Sequence, residues 1–191
     1  MSTGREIAAR LRYTLAMKQA LREEKWPILR KDDDALMKTL EATLTKRAKG
    51  DPYDSRGSFS ACIAKLPVGL RAMAATHWLD ISLSMDSMTC HFGNFGEPGL
   101  VAQTEEGLLE LGLPEMAECF HEAAEFMVPL LARMNEGEDP AEGLERLGLT
   151  EQADRIDRRG MELKDSADGG SVIYEAWIPY ARKHPERVFG S

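Results

Sequence analysis

Residues 106–118 read EGLLELGLPEMAE, and residues 142–154 read EGLERLGLTEQAD. The stretches lie 36 residues apart and share Glu106/Glu142, Gly107/Gly143, Leu108/Leu144, Leu111/Leu147, Gly112/Gly148, Leu113/Leu149, Glu115/Glu151 and Ala117/Ala153. Each copy carries the same instruction. A short helix ends at a glycine in the left-handed conformation, and the leucine after it folds back on the last turn. Pro114 or Thr150 then opens the next helix. The pattern predicts a helix–turn–helix unit made twice, short of the three or more repeats a solenoid needs.

Working outward, Met116, Phe120, Ala123, Met127, Leu130 and Met134 recur at spacings of 4, 3, 4, 3 and 4, a stripe for burial. Pro129 inside it predicts a kink or break near residues 125–129. NEGEDPAEG at 135–143 and SADGG at 166–170 read as loops. The C-terminal stretch 171–189 offers Tyr174, Trp177 and Ile178 to a last packed helix, interrupted near Pro179. Upstream, residues 66–88 are apolar enough for one or two buried helices with Pro67 near an N-terminus. CHFGNFGEPG at 90–99 crowds Gly93, Gly96, Pro98 and Gly99 and reads as a shaped loop. At the N-terminus, Ser2 or Thr3 caps a helix with Ile7, Leu11, Leu15, Met17 and Leu21 that stops before Pro27. Asp32, Asp33 and Asp34 open a second helix with Leu36, Leu40 and Leu44. The expected fold is all-α: an N-terminal helical hairpin at 1–47, a linker at 48–60, and a single compact multi-helix domain at 61–191.

The 191-residue chain is 43% hydrophobic, normal for a globular protein. No apolar run approaches the roughly 18 residues of a membrane span. The charged N-terminus lacks the apolar core of a signal peptide. Cys62, Cys90 and Cys119 are too few and too odd in number for a disulfide framework, so a cytoplasmic protein is expected. The net charge of −8 is unevenly spread. Residues 1–71 hold 15 Lys and Arg against 9 Asp and Glu, whereas residues 97–168 hold 6 against 19. That asymmetry favours a basic protein as partner, or pairing with the chain's own basic segment, and disfavours direct nucleic-acid binding.

Glu115, Glu118, Glu122 and Glu125 share one face of the long helix, with Glu110 just ahead. They form a carboxylate ridge suited to a basic surface. The same spacing also describes an ordinary solvated face. Four charges over about 15 Å of helix give one per roughly 4–5 Å, against one per about 1.7 Å in duplex DNA, so one helix cannot imitate duplex charge density. In the second copy Glu151 precedes Arg155, and Asp154 precedes Arg158, at the spacing of local ion pairs. That makes the first copy the candidate surface. Cys90-His91 and Cys119-x-His121 lack metal-site spacing, and Cys119 reads as a core residue, so no metal or other cofactor is expected. No phosphate-binding loop, nucleophile elbow or zinc-protease motif is present. His77, His91, His121 and His184 have no nucleophile beside them in sequence, and the expectation is that the protein is not an enzyme. The 10 methionines fit adaptable core filling.

Leu66-Pro67, the stretch 78–99 (WLDISLSMDSMTCHFGNFGEPG), the stretch 105–123 (EEGLLELGLPEMAECFHEA) and the terminal YARKHPERVF occur in an order that resembles the DNA mimic protein DMP-type family, over roughly residues 60–190. The chain departs from it at Asp86-Ser87-Met88-Thr89, where the family has Asn-Gly-Gly-Phe. The resemblance implies an all-helical fold and a capacity for homodimerisation. In one line of the family it also implies an acidic surface that occupies the DNA-binding site of a transcription factor. The favoured reading is an acidic module that binds and inhibits a basic or nucleic-acid-binding protein through Glu110, Glu115, Glu118, Glu122 and Glu125. The alternatives are an immunity protein neutralising a toxin and an enzyme whose site assembles across the fold.

Overall fold

The computed structural model describes residues 26–133 and 139–190. Among these the named elements are all helical: α1 (Trp26–Leu29), α2 (Asp33–Arg47), α3 (Ser58–Ile63), α4 (Val68–Met85), α5 (Met88–Phe95), α6 (Pro98–Glu110), α7 (Pro114–Leu131), α8 (Pro140–Leu147), α9 (Thr150–Lys164), α10 (Val172–Lys183) and α11 (Pro185–Phe189). The fold is all-α. Among the described residues no helix is long and apolar enough to cross a membrane. The chain divides into two compact units, Met1–Ala42 with Ser191, and Thr43–Gly190. In the first, Asp32 caps α2 by accepting from the Ala35 amide at 3.0 Å, and Leu36 and Leu40 are buried. The helix expected over Ile7–Leu21, with its stop before Pro27, lies outside the described residues, and Pro27 falls in the single turn of α1.

In the second unit α4 is the central helix, packed against α3, α5, α6, α9, α10 and α11. It is buried around most of its circumference, from Gly69 and Leu70 through Leu79 and Leu83. The repeated stretches build the same turn twice. The Leu113 amide donates to the Leu108 carbonyl at 2.9 Å and the Gly112 amide to Leu109 at 3.1 Å. Thirty-six residues on, Leu149 donates to Leu144 at 2.9 Å and Gly148 to Glu145 at 3.0 Å. This paired-bond helix stop needs a left-handed residue, and φ is +80° at Gly112 and +67° at Gly148. Met116, Phe120, Ala123, Met127 and Leu130 are all buried in the main core with Cys119, while Met134 lies outside the described residues. Phe92 stacks on Phe120 with centroids 5.0 Å apart.

Two expectations are corrected. The stretch 90–99 is not a loop: most of it is helical, α5 running to Phe95 and α6 starting at Pro98. Its breakers are absorbed by caps. Ser87 accepts from the Cys90 amide, and Glu97 accepts from the Gly99 and Leu100 amides at 2.8 Å each. The turn at Asp86–Thr89 therefore needs no glycine. Pro129 and Pro179 do not interrupt their helices. Each deprives a carbonyl four residues back, on Glu125 or Glu175, of its helical partner, and all four residues are exposed. In the stretch read as a linker, Tyr53 donates to Asp51 at 3.0 Å and Arg56 to Asp54 at 2.9 Å, and Ser58 already begins α3.

His91 is wholly buried among Phe92, Phe95 and Phe120. The Ser82 hydroxyl donates to the Trp78 carbonyl, so His91 Nδ1–H donates to Ser82 Oγ at 3.0 Å and Nε2 is left as a bare, unpartnered acceptor. Burial pushes the His91 pKa down to about 3 from 6.5. Below pH 6.5 the unfolded chain takes up a proton that the folded chain refuses. The neutral-histidine contribution is therefore intact above that pH and is lost as pH falls toward 3, by roughly 1.4 kcal/mol per unit at most. Urea titrations across that range should show a steeper acid loss in the wild type than in His91→Met. Separately, Gly112→Ala and Gly148→Ala meet no atom within 4 Å but keep a left-handed φ, so each should lower stability by about 1–2 kcal/mol.

Candidate functional site

The acidic helix α7 and the charge-balanced helix α9 pack side by side over Ala117, Phe120, Ala153 and Ile156. The five predicted contact residues fall in different surroundings. Glu110, at the end of α6, is committed internally. Tyr180 donates its hydroxyl to Glu110 Oε1, and Arg187 Nη2 donates to Oε2 at 2.9 Å, so this carboxylate ties α6 to α10 and α11. Burial first, and the Glu110 carboxylate second, raise the Tyr180 pKa well above the ordinary phenol value. Glu118 and Glu122 share one guanidinium: Arg159 of α9 donates Nη2 to Glu118 at 2.5 Å and Nη1 to Glu122 at 2.7 Å. Glu125 lies 3.7 Å from His121 Nε2, whose Nδ1 is 3.0 Å from Glu105. Glu115 is exposed and has no hydrogen bond or ion pair among the described residues.

The second copy reverses the expected pairing. Among the described residues no ion pair joins Glu151 to Arg155 or Asp154 to Arg158, and Arg158 instead donates Nε to the Asp154 backbone carbonyl at 3.3 Å. Exposed pairs at that spacing are worth only a few tenths of a kcal/mol and do not dictate rotamers. Glu142, Glu145, Glu151 and Asp154 are exposed and carry no ion pair among the described residues. Sequence reasoning set the last two aside because a nominal partner stood four residues away and did not consider the first two. Asp157 is structural: it caps α5 by accepting from the Thr89 amide at 2.8 Å and the Thr89 hydroxyl at 2.7 Å.

The remaining chemistry-bearing residues are spread through the fold. His77 and Tyr174 meet at 2.6 Å, and Ser171 donates to buried Asp80, two polar links between α4 and α10. Burial pushes the Cys119 thiol up to about 11, against the opposing pull of Arg159. Among the described residues no three His, Cys, Asp or Glu side chains converge to hold a metal. A cleft of about 380 Å³ between α4 and α6 is lined by Val68, Arg71, Gln103, Glu106, Leu109 and Glu110 among others, and by no histidine or cysteine.

A family model described as DMP19-like protein matches residues 64–184, well over half of the chain. The chain belongs to the DMP19-like family. No curated protein and no solved structure matches it. The DMP19-like region contains both copies of the repeated unit and every exposed carboxylate just described, whereas Arg187 lies beyond it.

Removing a carboxylate separates its structural from its surface role. Glu110→Ala leaves Tyr180 and Arg187 without their shared acceptor and should cost about 2 kcal/mol of unfolding free energy. Glu115→Ala should change it by less than about 0.5 kcal/mol. Parallel denaturant titrations measure both, and equal effects would overturn this division.

Proposed function

We propose that this DMP19-like protein is an acidic protein-binding module that covers the basic surface of a nucleic-acid-binding protein. The observation that carries the reading is that exposed carboxylates of residues 97–168, among them Glu115, Glu142, Glu145, Glu151 and Asp154, have no ion pair among the described residues. They belong to a segment with 19 acidic and 6 basic residues, so internal pairing leaves a net negative field. A net surface charge speeds encounter with an opposite surface and helps fix its orientation.

Membership of the DMP19-like family supports the same reading, as does the resemblance to DNA-mimicking proteins. The ridge of Glu115, Glu118, Glu122 and Glu125 on α7, with Glu151 and Asp154 on the adjacent α9, sets carboxylates on two helices.

A pull-down from native lysate, washed across a salt series, should retain a DNA-binding protein at low salt and release it as salt rises. The triple variant Glu115→Lys/Glu151→Lys/Asp154→Lys should lose that protein while melting normally. Unchanged retention by the triple variant would remove the surface from the function.

A further inference from the structure

We infer that Arg159 is an internal competitor for the partner: it occupies a guanidinium seat formed by Glu118 and Glu122, which an arginine of the bound protein takes over. The inference rests on the protein-binding reading and names how that surface is regulated.

Arg159 lies on α9, the helix that the second copy opens, and reaches across to α7, with one terminal nitrogen on Glu118 at 2.5 Å and the other on Glu122 at 2.7 Å. The two glutamates stand four apart on α7, where unscreened carboxylates repel. A planar guanidinium spans such a pair, whereas an ammonium is a point charge. The contact is not a strut of the core, because Ala117, Phe120, Ala153 and Ile156 hold α7 to α9 beneath it. It lies at the solvent boundary, with side-chain exposures of 34% for Arg159, 65% for Glu118 and 39% for Glu122. Ion pairs so exposed contribute little and exchange readily. With the seat filled, the ridge presents two fewer free carboxylates. A partner must supply guanidinium groups to reopen them, so the surface selects arginine-rich over lysine-rich partners.

Fluorescence anisotropy with labelled octa-arginine and octa-lysine peptides tests this. Arg159→Gln should bind octa-arginine about three- to tenfold more tightly than wild type, with a smaller gain for octa-lysine. Arg158→Gln makes the same change in net charge without touching the seat and should shift affinity less than about twofold. In a Glu118→Gln/Glu122→Gln background, Arg159→Gln should have no effect. Melting curves confirm that each variant folds. Unchanged or weaker octa-arginine binding by Arg159→Gln, or an equal gain from Arg158→Gln, overturns the competitor role and leaves the acidic surface standing. No octa-arginine binding by any form at low salt overturns both.

Discussion

A helix of 18 residues that is buried around most of its circumference must be enclosed by others, and α4 imposes that demand on the unit it occupies. Six helices meet it, and the space between axes is set by small residues. A Cβ added to Gly107 would sit 3.1 Å from the Ala72 backbone, and one added to Gly69 would strike the Tyr180 ring. Enclosure also dictates the polar chemistry of the interior. Thr76 and Ser82 turn their hydroxyls back onto α4 carbonyls, Asp80 takes its proton donor from Ser171, and His91 borrows Ser82. Each bond answers a group that water cannot reach.

The repeated unit shows how one local rule serves two environments. Both turns close with the same pair of backbone bonds, and Ala117 and Ala153 are buried to the same degree. The helices ahead of the turns differ. α6 packs along α4, while α8 packs mainly on α7 and α9. The residue ending the first helix, Glu110, is consumed by Tyr180 and Arg187, whereas its counterpart 36 residues on is Arg146. The second copy consequently keeps more of its carboxylates for the surface, although the two sequences look equally acidic.

Much of the helical framework was legible along the chain. The turn glycines, the stripe from Met116 to Leu130, the Asp32 cap and the core position of Cys119 all follow from signals spanning a few residues. The misreadings share a cause. Gly93, Gly96, Pro98 and Gly99 suggested a loop because breaker density says nothing of whether Ser87 and Glu97 cap the flanking helices. Pro179 suggested an interruption, and Pro129 a kink or break, because the pattern alone does not say that these prolines lie on the exposed sides of continuous helices.

The sequence by itself determined that the protein is all-α, that its helix–turn–helix unit occurs twice, and that its negative charge is concentrated in residues 97–168. Those properties depend on backbone preference, periodicity and composition, which act over one or two turns or need no structure. Only the tertiary structure decided which carboxylates are exposed without a partner. Arg159 is 41 residues from Glu118 and 37 from Glu122, and Arg187 is 77 from Glu110. Exposed ion pairs are too weak to choose the fold, so packing places the helices first and the charges pair with whatever packing brings within reach.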